Sequence, residues 1–131
     1  MPQRDTVLRW IEQLGPLVAR LLRRGTPEDF ALVREELAEA EQSLLGSLGA
    51  VLPHLEPEAA ADLLHDPDRI FAWAVLMGLR ASFEHAAGAD ATAASTRLRA
   101  IAIAEAAVRR IRVPRPEWDA WLATQRAAVP M

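Results

Sequence analysis

Apolar residues recur every three or four positions along most of this chain, and that period predicts helices. From Val7 the pattern runs through Leu8, Ile11, Leu14, Val18, Leu21 and Leu22 on one face. Gly15-Pro16 lies inside it and predicts a kink, because proline removes one backbone donor and presses on the carbonyl of Glu12. Gly25 stops this helix. Thr26-Pro27-Glu28-Asp29 starts the next with a hydroxyl cap, a proline at the first helical position and acids beside the positive helix end. In that second helix Phe30, Val33, Leu37, Ala40, Leu44, Leu48 and Val51 share a face opposite Arg34, Glu35, Glu39 and Gln42. The helix is expected to run to about Val51, where Pro53 and Pro57 bracket its end.

Glu58–His65 reads as a short helix or helical turn, and Asp66-Pro67 repeats the cap-and-proline start. A fourth helix follows from about Asp68 to Ala87, apolar nearly all round through Ile70, Phe71, Trp73, Val75, Leu76, Met77 and Leu79. Such a helix belongs at the centre of a domain. Gly88 ends it and Asp90 is positioned to cap the next helix, about Ala91–Arg112, which shows Leu98, Ile101, Ala104, Val108 and Ile111. Val113-Pro114-Arg115-Pro116 breaks the pattern and reads as extended chain. A last helix carries Trp118, Trp121 and Leu122 on one side. No alternating run bounded by turns predicts a strand.

Self-similarity organises these elements. Trp10, Gly15 and Gly25 recur at one constant offset as Trp73, Gly78 and Gly88, and the same offset pairs Val7 with Ile70, Leu8 with Phe71 and Leu14 with Met77. A mid-helix glycine costs about 1 kcal/mol relative to alanine. Its use in both halves is expected to be the close approach of a neighbouring backbone. The fold predicted is all-α, with five to six helices in one domain spanning 1–131. Two antiparallel hairpins related by internal duplication cover about 4–52 and about 67–112, and a short C-terminal helix covers about 116–128.

Phe30, Val33, Leu37 and Ala40 have the spacing of the second helix of a tetratricopeptide repeat, and Leu14-Gly15 and Met77-Gly78 resemble the leucine–glycine pair of its first helix. The loop register between the helices departs from the standard repeat. The opening Leu8-Arg9-Trp10-Ile11-Glu12-Gln13-Leu14-Gly15 also resembles the start of a family of uncharacterised bacterial proteins with tetratricopeptide-like hairpins. The resemblance implies a helical-hairpin fold and a tendency to bind partners. It transfers no site residue.

Composition removes whole classes of function. Cysteine is absent, so there is no disulfide, thiolate nucleophile or zinc–sulfur site. The longest strongly apolar stretch, Ile70–Leu79, is closed by Arg80 and is about half the roughly 20 residues a membrane span needs. Met1–Asp5 lacks the basic-then-apolar opening of a secretion signal, and a cytoplasmic location is expected. Every base is arginine, and lysine, asparagine and tyrosine are missing, as GC-rich coding produces. The net charge of −3 disfavours nucleic acid and anionic membrane as partners.

Catalytic signatures are lacking too. Ser43, Ser47, Ser82 and Ser95 lie outside any nucleophile motif, and the glycines are scattered as helix stops rather than gathered in a phosphate loop. His54, His65 and His85, with Asp62, Asp66, Asp68 and Glu84, supply metal-ligand types. They form no Glu-x-x-His pair of the kind carboxylate-bridged sites use. Neither a metal nor a cofactor is expected. Charge, however, is unevenly spread: acids crowd Glu28 to Asp68, where Arg34 is the lone base, and bases crowd Arg97 to Arg115, where Glu105 is the lone acid. These faces either meet within the fold, stay solvated, drive self-association, or make Arg109, Arg110, Arg112 and Arg115 a grip for phosphate or an acidic peptide. Trp118 and Trp121 either latch the last helix to the core or anchor a partner.

The expected function is therefore a non-enzymatic module that binds a protein partner or itself, as in a homodimer. Arg109, Arg110, Arg112, Arg115, Trp118 and Trp121 are the candidate contact residues. One alternative is a helical bundle whose apolar helix over 68–87 lines a cavity for a small ligand or metal. Another is phosphate or nucleic-acid contact through Arg97–Arg115.

Overall fold

The computed structural model describes residues 9, 12–20, 23 and 25–129. Those residues form six helices, and no strand occurs among them. The first, α1, covers 12–20 and continues through Gly15-Pro16. It is followed by α2 (Pro27–Leu45), two 3-10 turns (Gly46–Ala50 and Leu52–His54), α3 (Pro57–Leu64), α4 (Pro67–Ala86), α5 (Asp90–Val108) and α6 (Pro116–Ala127).

Proline opens α2, α3, α4 and α6, where its fixed φ suits the first turn and its missing N–H costs nothing. Thr26 completes a capping box on α2: its Oγ1 accepts from Asp29 N at 3.2 Å, and its own N–H donates to Asp29 Oδ2 at 3.3 Å. Asp66 Oδ1 accepts from Asp68 N at 3.1 Å at the start of α4. Asp90, expected to cap α5, instead lies in its first turn, and its Oδ1 meets His85 Nδ1 at 2.9 Å across the α4–α5 turn.

Two helices stop earlier than their periodicity suggests. The second helix ends at Leu45, because Gly46 turns the chain at φ +57°. Of the two positions predicted beyond Gly46, Leu48 is partly buried against the core and Val51 is exposed, because the 3-10 turns rotate the chain and bury Leu52 instead. At the other end α5 closes at Val108 rather than near Arg112.

The apolar helix α4 is central, with Ile70, Phe71, Ala72, Trp73, Ala74, Leu76 and Met77 all buried. On one side α5 packs along it, joined through a turn in which Gly88 takes φ +85°. Ala100, Ala104, Ala106 and Ala107 of α5 are fully buried, so the helix carries small residues and Ile103 into the core. On another side α2 runs antiparallel to α4. Phe30, near the start of α2, meets Phe83 near the end of α4 at 5.6 Å, and Arg69 Nε donates to the Leu44 carbonyl at 2.8 Å. The last helix lies parallel to α4, with Trp118 on Phe71 and Gln125 beside Gly78.

The proposed repeat is only partly in view: Trp10, Val7, Leu8, Ile11, Leu21 and Leu22 lie outside the described residues. Its two mid-helix glycines differ in their described surroundings. Among the described residues a Cβ on Gly15 would meet nothing within 4 Å, whereas one on Gly78 would lie 2.9 Å from Trp121 Cζ2 and 3.2 Å from Gln125 Oε1. What Gly78 admits is thus a pair of side chains from α6, not a neighbouring backbone.

That contact predicts a change of sign. Gly78→Ala is expected to destabilise the protein by about 1 kcal/mol, because crowding against the indole, about 1–3 kcal/mol, outweighs about 1 kcal/mol of helix propensity. In a Trp121→Ala background the same substitution is expected to stabilise by about 1 kcal/mol. Urea unfolding of the four proteins measures both, and simple additivity would show that α6 does not press on Gly78.

Candidate functional site

The extended segment after α5 delivers Arg115 and Pro116 to the start of α6, and helical spacing then places Trp118, Trp121, Leu122 and Gln125 on the face turned to the core. Trp118 and Leu122 are buried, while Trp121 is half-buried. The Trp118 ring stacks on Phe71 at 4.2 Å with planes 2° apart, and Trp121 meets Phe71 edge-on at 5.4 Å. Arg97 ties the far end of α6 down: it donates to Gln125 Oε1 and, at 3.2 Å, to Ser82 Oγ. Burial pushes the Arg97 guanidinium below its ordinary pKa.

A cleft of about 310 Å³ opens beside this latch, between α1, α4 and α6. Phe71, Ala72 and Val75 of α4 and the two indoles of α6 supply its apolar surface. Among the described residues, Glu12 of α1, Asp68 and Glu117 add three carboxylates, and Arg115 adds a guanidinium, paired with Asp68 and 4.4 Å from the Trp118 ring centroid. The cleft thus combines an aromatic lining with an acidic margin. Three of the six sequence-derived candidates, Arg115, Trp118 and Trp121, converge on it.

The other three candidates lie elsewhere. Arg109 pairs with Glu58, and Arg110 reaches Glu58 at 2.9 Å and Asp62 at 2.6 Å, so the acidic α3 and the basic end of α5 meet within the fold. Arg112 is exposed and makes no ion pair among the described residues. Upstream, Arg99 donates to the carbonyls of Leu52 at 3.0 Å and Leu55 at 2.7 Å and lies 5.7 Å from the Trp73 ring centroid. Three arginines of the basic stretch, Arg109, Arg110 and Arg115, therefore pair with Glu58, Asp62 and Asp68 of the acidic one.

A second polar cluster lies between α2 and α4. Arg80 pairs with Glu41, and burial lowers its pKa while the nearby Glu84 carboxylate pulls it back up. Shallow clefts of about 430 Å³ and about 280 Å³ flank this arginine, whose charge Glu41 already answers. Among the described residues, no three His, Asp or Glu side chains converge as a metal site would require. None of the helices they form is long and apolar enough to cross a membrane.

Sequence reasoning did not single out Glu12 or Glu117 as lining residues, and it offered Asp68 and Phe71 only as part of the helix over 68–87 that could wall a cavity. Phe71 reads as one more apolar position in α4, and the acids as ordinary first-turn or surface charges. Only the docking of α6 brings them together. Compared with protein-family models, with curated proteins and with solved structures, the chain matches none.

Proposed function

We propose that this chain is a non-enzymatic protein-binding module that receives a side chain of its partner in the cleft beside α6. The observation carrying this reading is the aromatic lining of an open cleft at about 310 Å³, the bottom of the roughly 300–1,000 Å³ range of ligand pockets. A space of that size suits a single bulky side chain better than an extended cofactor. Tryptophan at the edge of such a cleft is also the residue type that most often anchors a protein interface. The tetratricopeptide-like reading belongs to the same proposal, and the packing of α4 along α5 supports its hairpin element.

Direct phosphate or nucleic-acid contact is a weaker reading, since Arg109 and Arg110 would have to leave Glu58 and Asp62. Affinity capture from a native extract, with wild type and Trp121→Ala in parallel, tests the main proposal. Trp121 is half-buried, so its loss should spare the fold while removing part of the cleft. A partner retained by the wild type and lost by the variant is the expected result. Equal capture by both would move the interface elsewhere, and light scattering of the purified chain would show whether that partner is a second copy.

A further inference from the structure

We infer that the cleft is selective for a cationic side chain, specifically an arginine presented by a basic segment of a protein partner. This rests on the binding-cleft reading above and adds the chemistry of what enters.

Charge sets the preference. Among the described residues, the lining holds three carboxylates, Glu12, Asp68 and Glu117, against the guanidinium of Arg115. Both α4 and α6 begin here, and their positive ends together contribute roughly one further unit of positive charge. Set against each other, these leave the cleft negative by about one charge. Asp68 is engaged with Arg115, but neither Glu12 nor Glu117 forms an ion pair among the described residues. An incoming cation thus meets two carboxylates that have no cation of their own.

Shape and polarisability favour guanidinium over ammonium. The indole and phenyl faces carry negative quadrupoles that attract a cation placed within about 6 Å of a ring centroid. Arginine exploits such faces best, because its planar, weakly hydrated group stacks while its N–H fork reaches a carboxylate. The molecule already displays this recognition on itself: Arg115 lies 4.4 Å from the Trp118 centroid while paired with Asp68. A partner arginine would repeat the arrangement one step outward, against the half-buried Trp121 and between Glu12 and Glu117.

The test is a titration of the full, isotope-labelled chain, followed through its tryptophan indole N–H resonances. The probes are three blocked pentapeptides with a central arginine, citrulline or phenylalanine between glycines. The arginine peptide is expected to shift the Trp121 indole signal saturably, with an affinity that falls as salt rises. Citrulline in its place, or the Glu12→Gln/Glu117→Gln variant, is expected to weaken binding about fivefold to tenfold. Both glutamates are exposed, so the double variant should fold normally, and its unperturbed spectrum checks that. Equal binding of the arginine and citrulline peptides, or no loss in the double variant, would overturn the cation inference. If only the phenylalanine peptide saturates Trp121, the cleft reading survives and arginine selectivity does not. If no peptide moves the signal, both fall.

Discussion

Trp118→Ala is expected to destabilise the protein by about 3–5 kcal/mol, the usual cost of deleting a buried large aromatic side chain. The ring is only 6% exposed and stacks on Phe71 at 4.2 Å. Its loss also removes the surface against which Arg115 lies. Since domains of this size are stable by only about 5–15 kcal/mol, this is at least about a fifth of the total. The damage is expected to begin at α6, which follows an extended segment and contributes only Trp118 and Leu122 as buried side chains. Denaturant unfolding gives the size of the effect, and amide exchange along α6 gives its location. A loss below about 1 kcal/mol would mean that the stacked pair is not what holds the last helix.

Arg99→Met should cost about 2–3 kcal/mol, through hydrogen bonds rather than volume. Arg99 donates to the carbonyls of Leu52 and Leu55, at the end of the irregular linker between α2 and α3. Methionine keeps much of the aliphatic stem but leaves both acceptors without this donor, and charge-assisted bonds of this type are worth about 1.5–3 kcal/mol. Burial lowers the pKa of Arg99, but a guanidinium stays protonated far above neutrality. The loss is therefore expected to be flat across neutral pH. Exchange of the amides at Val51, His54 and Leu55, which close the 3-10 turns, should accelerate more than exchange in α4. Unchanged protection there would show that the turns hold themselves without α5.

The two substitutions probe connections of different legibility. That Trp118, Trp121 and Leu122 share a helix face was readable, but whether that face met the core or a partner was left open until Trp118 proved buried. That it lies on Phe71 was not readable, because nothing local selects Phe71 from among the apolar positions of α4. The arginine-rich stretch was visible as a charge imbalance with several possible outcomes. The structure brings Arg109 and Arg110 to Glu58 and Asp62, across sequence separations of 48 to 52 residues that no local pattern reports. Gly46 shows the opposite failure: its helix-ending potential lay in plain view, but the periodicity of Leu48 and Val51 carried the reading past it.

Local chemistry alone determined that this chain is helical and where most helices begin. Proline at the first turn, a hydroxyl or carboxylate cap and a three-to-four apolar period act within a few residues of one another, so they are legible in a single pass. Tertiary structure decided which faces meet, because apolar burial is non-directional and many pairings satisfy the same periodicity. The missing Cβ of Gly78 lets α6 settle on α4, and that settling draws Glu12, Asp68, Glu117 and the two indoles around one cleft. Had α6 docked elsewhere, the same residues would have been scattered surface charges and two tryptophans in search of cover.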